Sequence, residues 1–363
     1  MKIGILTFHN VPNYGAALQA FALKKYLTKL GNTVSVIDFQ CPGNDSTFLP
    51  ENQKKNFTAS ANPIKRILKD ALYSINIKKD YAVKWAKFEN FAKEHFNISP
   101  DEIKGFDVVF CGSDQIWNPE ITKGFKSKYF GIETDDKTIS ASYAASCGDI
   151  TEFSDEQISE FLALIKNLDF IGVREKSLCE ALKENGIDAL CTIDPTFLLS
   201  SEDYIKQLNL TKTEKPKYLL QYALQNTKEL DEAAAEIAKN KGLKIIKICG
   251  YAPLKSKGKG IFDAGVQEFL QYLYNAEYVV TNSFHGVALS LIFKKDFTSS
   301  LPKMRKGRIT DLLESLSLQD RIFKDKNNIV TDKVNYDIVG EKLSDMILYS
   351  TDYIEKVLRN VNG

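Results

Sequence analysis

The chain has 363 residues, more than one ordinary core accommodates, so two domains of roughly 150–200 residues are expected. Hydrophobic residues make up 44% and charged residues 26%, the composition of a soluble globular chain. A net charge of +1 argues against a charge-driven nucleic-acid binder, and no apolar run approaches the ~20 residues that span a bilayer.

The N-terminal MKIGILTF holds one basic residue and then a strand-like run, Lys2–Phe8, unlike a signal peptide. HNVPNYGA leads into a helix with apolar residues at Ala16, Ala20, Leu23, Leu27 and Leu30, which Gly31 and Asn32 end. Thr33–Phe39 is a second strand, and this βαβ unit predicts a parallel sheet. Residues 41–100 break the alternation. CPGNDSTFLPENQKKNFTASANP reads as a long loop, and the stretch from Pro63 to Phe96 as one or two helices. Lys65–Phe96 carries eight Lys/Arg and four Asp/Glu, interleaved with Trp85, Phe88 and Phe91. Two readings stand: a helical insertion packed on the first domain, or a docking face for an anionic membrane.

Further strands are expected at Val108–Cys111, Thr138–Ala144, Phe170–Val173 and Leu190–Ile193. After a polar connector near 196–216 come strands Tyr218–Tyr222, Leu243–Ile248, Tyr278–Thr281 and Phe297–Ser299. Helices are expected at Lys228–Asn240, Val266–Asn275 and Val287–Phe293, and a last helix at about 337–361 packs back across the halves. The fold class is thus α/β: two Rossmann-like domains facing a cleft, residues 1–200 with a helical insertion at about 41–100, and residues 201–336. Six cysteines without a CxxC pair suit free thiols in a reducing cytosol. With three dispersed histidines, no metal-ligand cluster stands out.

Several candidate residues fall between a strand and a helix, the carboxyl edge where open parallel sheets bind ligands. His285 lies in TNSFHGVALSLIF, where helix-start N–H groups favour an anion, Gly286 permits close approach, and an imidazole can bind an anion or act as general acid. CGSDQIWNP offers Asp114 as a carboxylate and Trp117 as a flat face for a sugar; the plainer reading is a helix cap with a buried Trp. Asn13, Tyr14 and Gly15 open the first helix without the GxGxxG of a dinucleotide site, and suit a hydroxyl or phosphate as well as a plain turn. Arg174 ends the strand FIGVR. KMRKGR gathers Lys303, Arg305, Lys306 and Arg308, suited to carboxylate or phosphate or simply a solvated loop. LKSKGKG (254–260) reads as a surface loop.

Seven stretches, in order, resemble the polysaccharide pyruvyl transferase family: NYGAALQAFAL, GSDQIWNP, SYAASCG, GVREKSL, DPTFLL, AEYVVTNSFHG and GRITDLLESLSLQDR. The resemblance implies a fold like that of GT-B glycosyltransferases. It implies transfer of the enolpyruvyl unit of phosphoenolpyruvate to a sugar, giving a pyruvate ketal on a capsule, exopolysaccharide or cell-wall precursor. Phosphoenolpyruvate is then a co-substrate, with no cofactor or metal, and the acceptor is often lipid-linked. By position, His285 matches the family's histidine and becomes the acid, Asp114 the base, and Arg174 a donor contact. Many members carry an arginine two residues before the histidine, where this chain has Ser283. Arg305 and Arg308 are the candidate replacements. The donor side is then Arg174, Ser283, Gly286, Arg305 and Arg308, and the acceptor side Asn13, Tyr14, Gly15 and Trp117. The expected location is cytoplasmic, with peripheral contact at the inner membrane face. The competing functions are a GT-B-like glycosyltransferase using a nucleotide sugar and a non-catalytic glycan-binding relative.

Overall fold

A computed structural model describes residues 1–41, 63–213, 217–224, 226–250, 260–301, 307–325, 329–330 and 332–362, with 63–78 and 362 as backbone only. The expected loop at 42–62, most of LKSKGKG, and Lys303, Arg305 and Lys306 lie outside these residues.

The first sheet has seven strands: β1 (Lys2–Leu6), β2 (Thr33–Ile37), β3 (Ile98–Ser99), β4 (Val108–Cys111), β5 (Ile139–Ala145), β6 (Phe170–Val173) and β7 (Leu190–Cys191). Their order is β3-β2-β1-β4-β5-β6-β7, and every pairing is parallel. β4 is buried at all four positions, as a strand covered on both faces must be. The second sheet holds β8 (Tyr218–Ala223), β9 (Lys244–Cys249), β10 (Tyr278–Thr281) and β11 (Asp296–Ser299) in the order β11-β10-β8-β9, again parallel. The architecture is α/β with two parallel sheets, the GT-B-type arrangement.

The helices are α1 (Tyr14–Lys29), α2 (Pro63–His95), α3 (Pro119–Thr122), α4 (Asp155–Ile165), α5 (Lys176–Glu184), α6 (Ser201–Gln207), α7 (Lys228–Lys241), α8 (Val266–Asn275), α9 (Phe284–Ile292), α10 (Gly307–Ser315) and α11 (Tyr336–Arg359). α1 is buried from Tyr14 to Leu23, on all sides rather than along one stripe, because both domains pack on it. Tyr14 stacks on Phe269 of α8 with centroids 4.3 Å apart, and its hydroxyl donates to the Ala264 carbonyl at 2.8 Å. One apolar core therefore runs from the first sheet through α1 into the second domain.

α2 adds polar ties to the same boundary. Lys84 donates to the Gly250 carbonyl at 2.7 Å, and Lys87 pairs with Glu268 at 2.7 Å. Phe88 and Phe91 are buried in the shared core. Lys84, Lys87, Phe88 and Phe91 therefore do not form a bilayer-facing surface: the two lysines tie the insertion to the second domain, and Phe88 and Phe91 pack on Tyr14 and Phe21 of α1. Among the described residues no helix is long and apolar enough to cross a membrane. α11 returns to the first sheet, where Tyr353 donates to the Ser142 carbonyl at 2.6 Å and Ser350 accepts from Ile193 N–H at 2.9 Å.

Strand positions agree with the sequence expectation to within two residues at most ends. The helix expected from Val287 begins earlier, at Phe284, so His285 stands in the first helical turn and not on the loop before it. Ser283 is the N-cap residue, and its N–H donates to Thr281 Oγ1 at 3.1 Å.

Candidate active site

The carboxyl ends of β1, β4, β6 and β7 meet that of β10 from the second sheet. The loop after β4 is fixed by side chains of the first βα unit. Gln19 donates to Thr7 Oγ1 at 2.9 Å and accepts from Ser113 N–H at 3.2 Å, while Thr7 Oγ1 donates to the Ser113 carbonyl at 2.9 Å. Asp114 follows with a φ of 69°, its Oδ1 accepting Gln115 N–H at 2.9 Å.

Arg174, at the end of β6, is surrounded by carboxylates. Its Nη1 donates to Asp194 Oδ2 at 2.9 Å, Nε faces Glu175 Oε1 at 3.5 Å, and Nη2 lies 3.7 Å from Asp114 Oδ1. Asp194, just after β7, is fully buried among donors. Its Oδ1 accepts from Thr196 N–H at 3.0 Å and from the Thr196 hydroxyl at 2.8 Å. Its Oδ2 also lies 3.4 Å from Ser113 Oγ and 3.5 Å from His285 Nε2. Burial by itself would raise the Asp194 carboxyl, but His285, Arg174 and the Thr196 N–H outweigh it and hold the group well below the usual carboxylate range. Burial opposes the charge on Arg174, and the flanking Glu175, Asp194 and Asp114 overcome it, pushing its pKa higher still.

His285 reaches this cluster from the second domain. Its ring rests directly on Gly15: a Cβ there would lie 2.0 Å from Nδ1, so only glycine fits. Among the described residues, three buried polar atoms of the cluster have no hydrogen-bond partner: Arg174 Nη2, Glu175 Oε2 and His285 Nε2. Leaving such groups unpaired costs about 1–3 kcal/mol each, an arrangement that a polar ligand relieves.

Phe284 is approached by two guanidinium groups, with Arg174 5.2 Å and Arg308 of α10 5.8 Å from its ring centroid. Together with Asp194 and Glu175 they line a cavity of about 540 Å³ whose far wall is α11, at Met346 and Tyr349. Ligand sites of this kind occupy about 300–1,000 Å³.

The structure thus brings together Asp114, Arg174, His285 and Gly15, and sets Arg308 on the adjoining cavity. It assigns other work to the rest. Trp117 is fully buried, stacks on Phe130 and donates to the Tyr129 carbonyl at 2.8 Å, so it presents no face to a sugar. Tyr14 is equally buried and joins the domains. Asn13 caps α1, accepting from Gly15 N–H at 2.9 Å and Ala16 N–H at 3.3 Å, so these donors already have a partner. Gly286 is explained by packing rather than by ligand approach, since a Cβ there would lie 2.2 Å from Thr281 Oγ1. Ser283 is 1% exposed. Asp194, Glu175 and Phe284 were missed by the sequence reading; the signal was available for Asp194, which directly follows a short strand and precedes Pro195.

Fold and site together define a two-domain α/β protein of the GT-B type, with a cleft site at the carboxyl edges of its sheets. Residues 13–299 match the model of the family described as polysaccharide pyruvyl transferase, and the chain belongs to that family. Similar solved structures include a UDP-GlcNAc 2-epimerase from Methanocaldococcus jannaschii, 14% identical over 99% of this chain and 100% of that one, TM-score 0.45. Others are a putative UDP-N-acetylglucosamine 2-epimerase from Listeria monocytogenes, 12% identical over 97% and 90%, TM-score 0.47, and a Streptomyces sp. SF2575 glycosyltransferase, 13% identical over 100% of both chains, TM-score 0.40. No curated protein sequence matches the chain.

Proposed function

We propose that the chain transfers the enolpyruvyl unit of phosphoenolpyruvate to two hydroxyls of one sugar, closing a pyruvate ketal on a surface-polysaccharide precursor. The observation that carries this reading is the buried pair Arg174 Nη2 and His285 Nε2, both without a hydrogen-bond partner among the described residues and both beside Asp194. Their unmet polarity suits the oxygens of an anionic donor. Three carboxylates already surround Arg174, so a donor bearing phosphate and carboxylate needs a further cation. Arg308, whose guanidinium also lies against Phe284, supplies it in place of the arginine absent at Ser283.

In this scheme His285 gives a proton to the methylene carbon, which makes C2 electrophilic. One sugar hydroxyl adds to C2 and releases its proton to a carboxylate of the cluster around Arg174. The C2–O bond to phosphate breaks, and phosphate leaves with the bonding pair. The second hydroxyl adds to the same carbon and releases its proton. One of the two released protons restores His285, and the other departs with phosphate. The acceptor is taken as lipid-linked, met at the inner face of the membrane.

The test is mass spectrometry of free and lipid-linked sugars incubated with the protein and phosphoenolpyruvate. The expected product is heavier by one pyruvate less one water. Transfer from a nucleotide sugar instead, with none from phosphoenolpyruvate, would move the chain to glycosyl transfer.

A further inference from the structure

The three carboxylates around Arg174 are not equivalent. Asp194 is committed on both oxygens. Asp114 has Oδ1 on Gln115 N–H and is not among the residues that line the cavity. Glu175 does line it, and it is only 5% exposed. Its Oε1 accepts from the Ser146 hydroxyl at 2.7 Å, whereas Oε2 is buried with no hydrogen-bond partner among the described residues.

A second carboxyl lines the same cavity. Asp311 of α10 stands three residues after Arg308, one turn along the same face. Burial, and after it the charge of Glu175, raises the Asp311 carboxyl above its ordinary value, which sets the two groups within electrostatic reach of each other. Among the described residues the lining is nearly balanced: Glu175, Glu180, Asp194, Asp311 and Asp345 against Arg174, Lys176, Lys183 and Arg308. A balanced cavity that holds an acceptor atom lacking a donor calls for a neutral ligand with several O–H groups rather than for a cation.

We propose that Glu175 and Asp311 form a hydroxyl-pair subsite that holds two neighbouring hydroxyls of an acceptor pyranose in this cavity. The assignment rests on the transferase reading above and gives its acceptor a place and two specificity-determining side chains. It also puts the hydroxyls next to Arg174, where the donor is read to bind.

The probes are methyl α-glucopyranoside, methyl α-galactopyranoside and methyl α-mannopyranoside, followed by saturation-transfer NMR, with phosphoenolpyruvate titrated separately by calorimetry. The proteins are wild type, Glu175→Gln and Asp311→Asn. At least one hexoside should bind wild type with a millimolar Kd, and each variant should weaken it by roughly tenfold, the loss of one good hydrogen bond. Phosphoenolpyruvate affinity should stay within about threefold of wild type in Asp311→Asn. Equal hexoside binding by all three proteins overturns the proposal, as does no binding to wild type at about 50 mM. Asp311 is half-buried on a helix surface, so its variant decides the matter even if Glu175→Gln does not fold. Hexoside binding that depends on both carboxyls, with no phosphoenolpyruvate binding at all, would remove the transferase reading and keep the subsite.

Discussion

His285 and Gly15 meet across the domain boundary, the imidazole lying so close that a Cβ on Gly15 would come within 2.0 Å of Nδ1. The contact couples the amino end of α1 to the first turn of α9, and it needs the glycine for room rather than for backbone freedom. In Gly15→Ala the ring must move away. A shift of about 1 Å in a reacting group lowers turnover by roughly 10²-fold. Measured kcat should fall by at least tenfold while the circular-dichroism spectrum stays unchanged, and an unaltered kcat would sink the contact's role.

Replacing the imidazole itself separates acid catalysis from binding. His285→Ala should lower kcat by roughly 10²–10⁴ if the ring delivers the proton. Turnover within about threefold of wild type would remove the acid role.

The two guanidinium groups should behave differently. Arg174→Ala uncovers three carboxylates, and breaking a buried pair costs about 3–5 kcal/mol, visible as a lower Tm. Arg308→Ala should instead weaken phosphoenolpyruvate by one to two decades, about 1.5–3 kcal/mol. Calorimetric titration showing the same affinity in Arg308→Ala as in wild type would discard Arg308 as the replacement cation.

Lys84 predicts a pH-dependent stability. The residue is 3% exposed, and its ammonium lies against the Gly250 carbonyl and 4.6 Å from the Tyr14 ring centroid. Burial brings its pKa down from 10.5 to about 7, with Cys249 opposing. Below about pH 7 both folded and unfolded chains hold the proton, and the burial penalty is complete. Between about 7 and 10.5 the unfolded chain holds more protons, so stability rises with pH, by up to about 1.4 kcal/mol per unit. Lys84→Met should flatten that rise in urea midpoints taken at about pH 6 and pH 9. Identical slopes in the two proteins would refute the assignment.

Trp117 should prove a matter of stability alone. Trp117→Ala removes a fully buried ring and should cost about 3–5 kcal/mol. Trp117→Phe should leave acceptor affinity unchanged; a selective loss of acceptor binding in that variant would restore Trp117 to the site.

Much of the fold was legible because its signals are local. Alternating apolar runs and 3.6-residue periodicity mark β4, β6, β10, α7 and α8 within a residue or so. α9 began early because Phe284 and His285 are buried by the other domain, a contact the local pattern does not record. The site was legible to the same degree. Asp114, Arg174 and His285 each stand after a strand, and position alone selects them. Asp194 and Glu175 escaped because their importance comes from being neighbours of Arg174 in space. Tyr14 and Trp117 were misplaced for the converse reason: an aromatic next to a sheet edge looks the same in sequence whether it faces a ligand or the opposite domain. Two of the insertion's positive charges belong to the same class of hidden contact, since Lys84 and Lys87 answer to groups more than 150 residues downstream.

The cavity is built from two separate stretches of chain. Arg174, Glu175, Asp194 and Phe284 lie inside the span 13–299 that matches the family model, whereas Arg308 and Asp311, in the resembling stretch GRITDLLESLSLQDR, and Met346 and Tyr349 of α11 lie beyond it. The candidate site is in that sense modular. A graft that exchanged residues 300–363 for those of another member would swap one wall of the cavity and leave the Arg174–Asp194–His285 cluster in place, so the tail is the natural segment to vary when a new acceptor is sought.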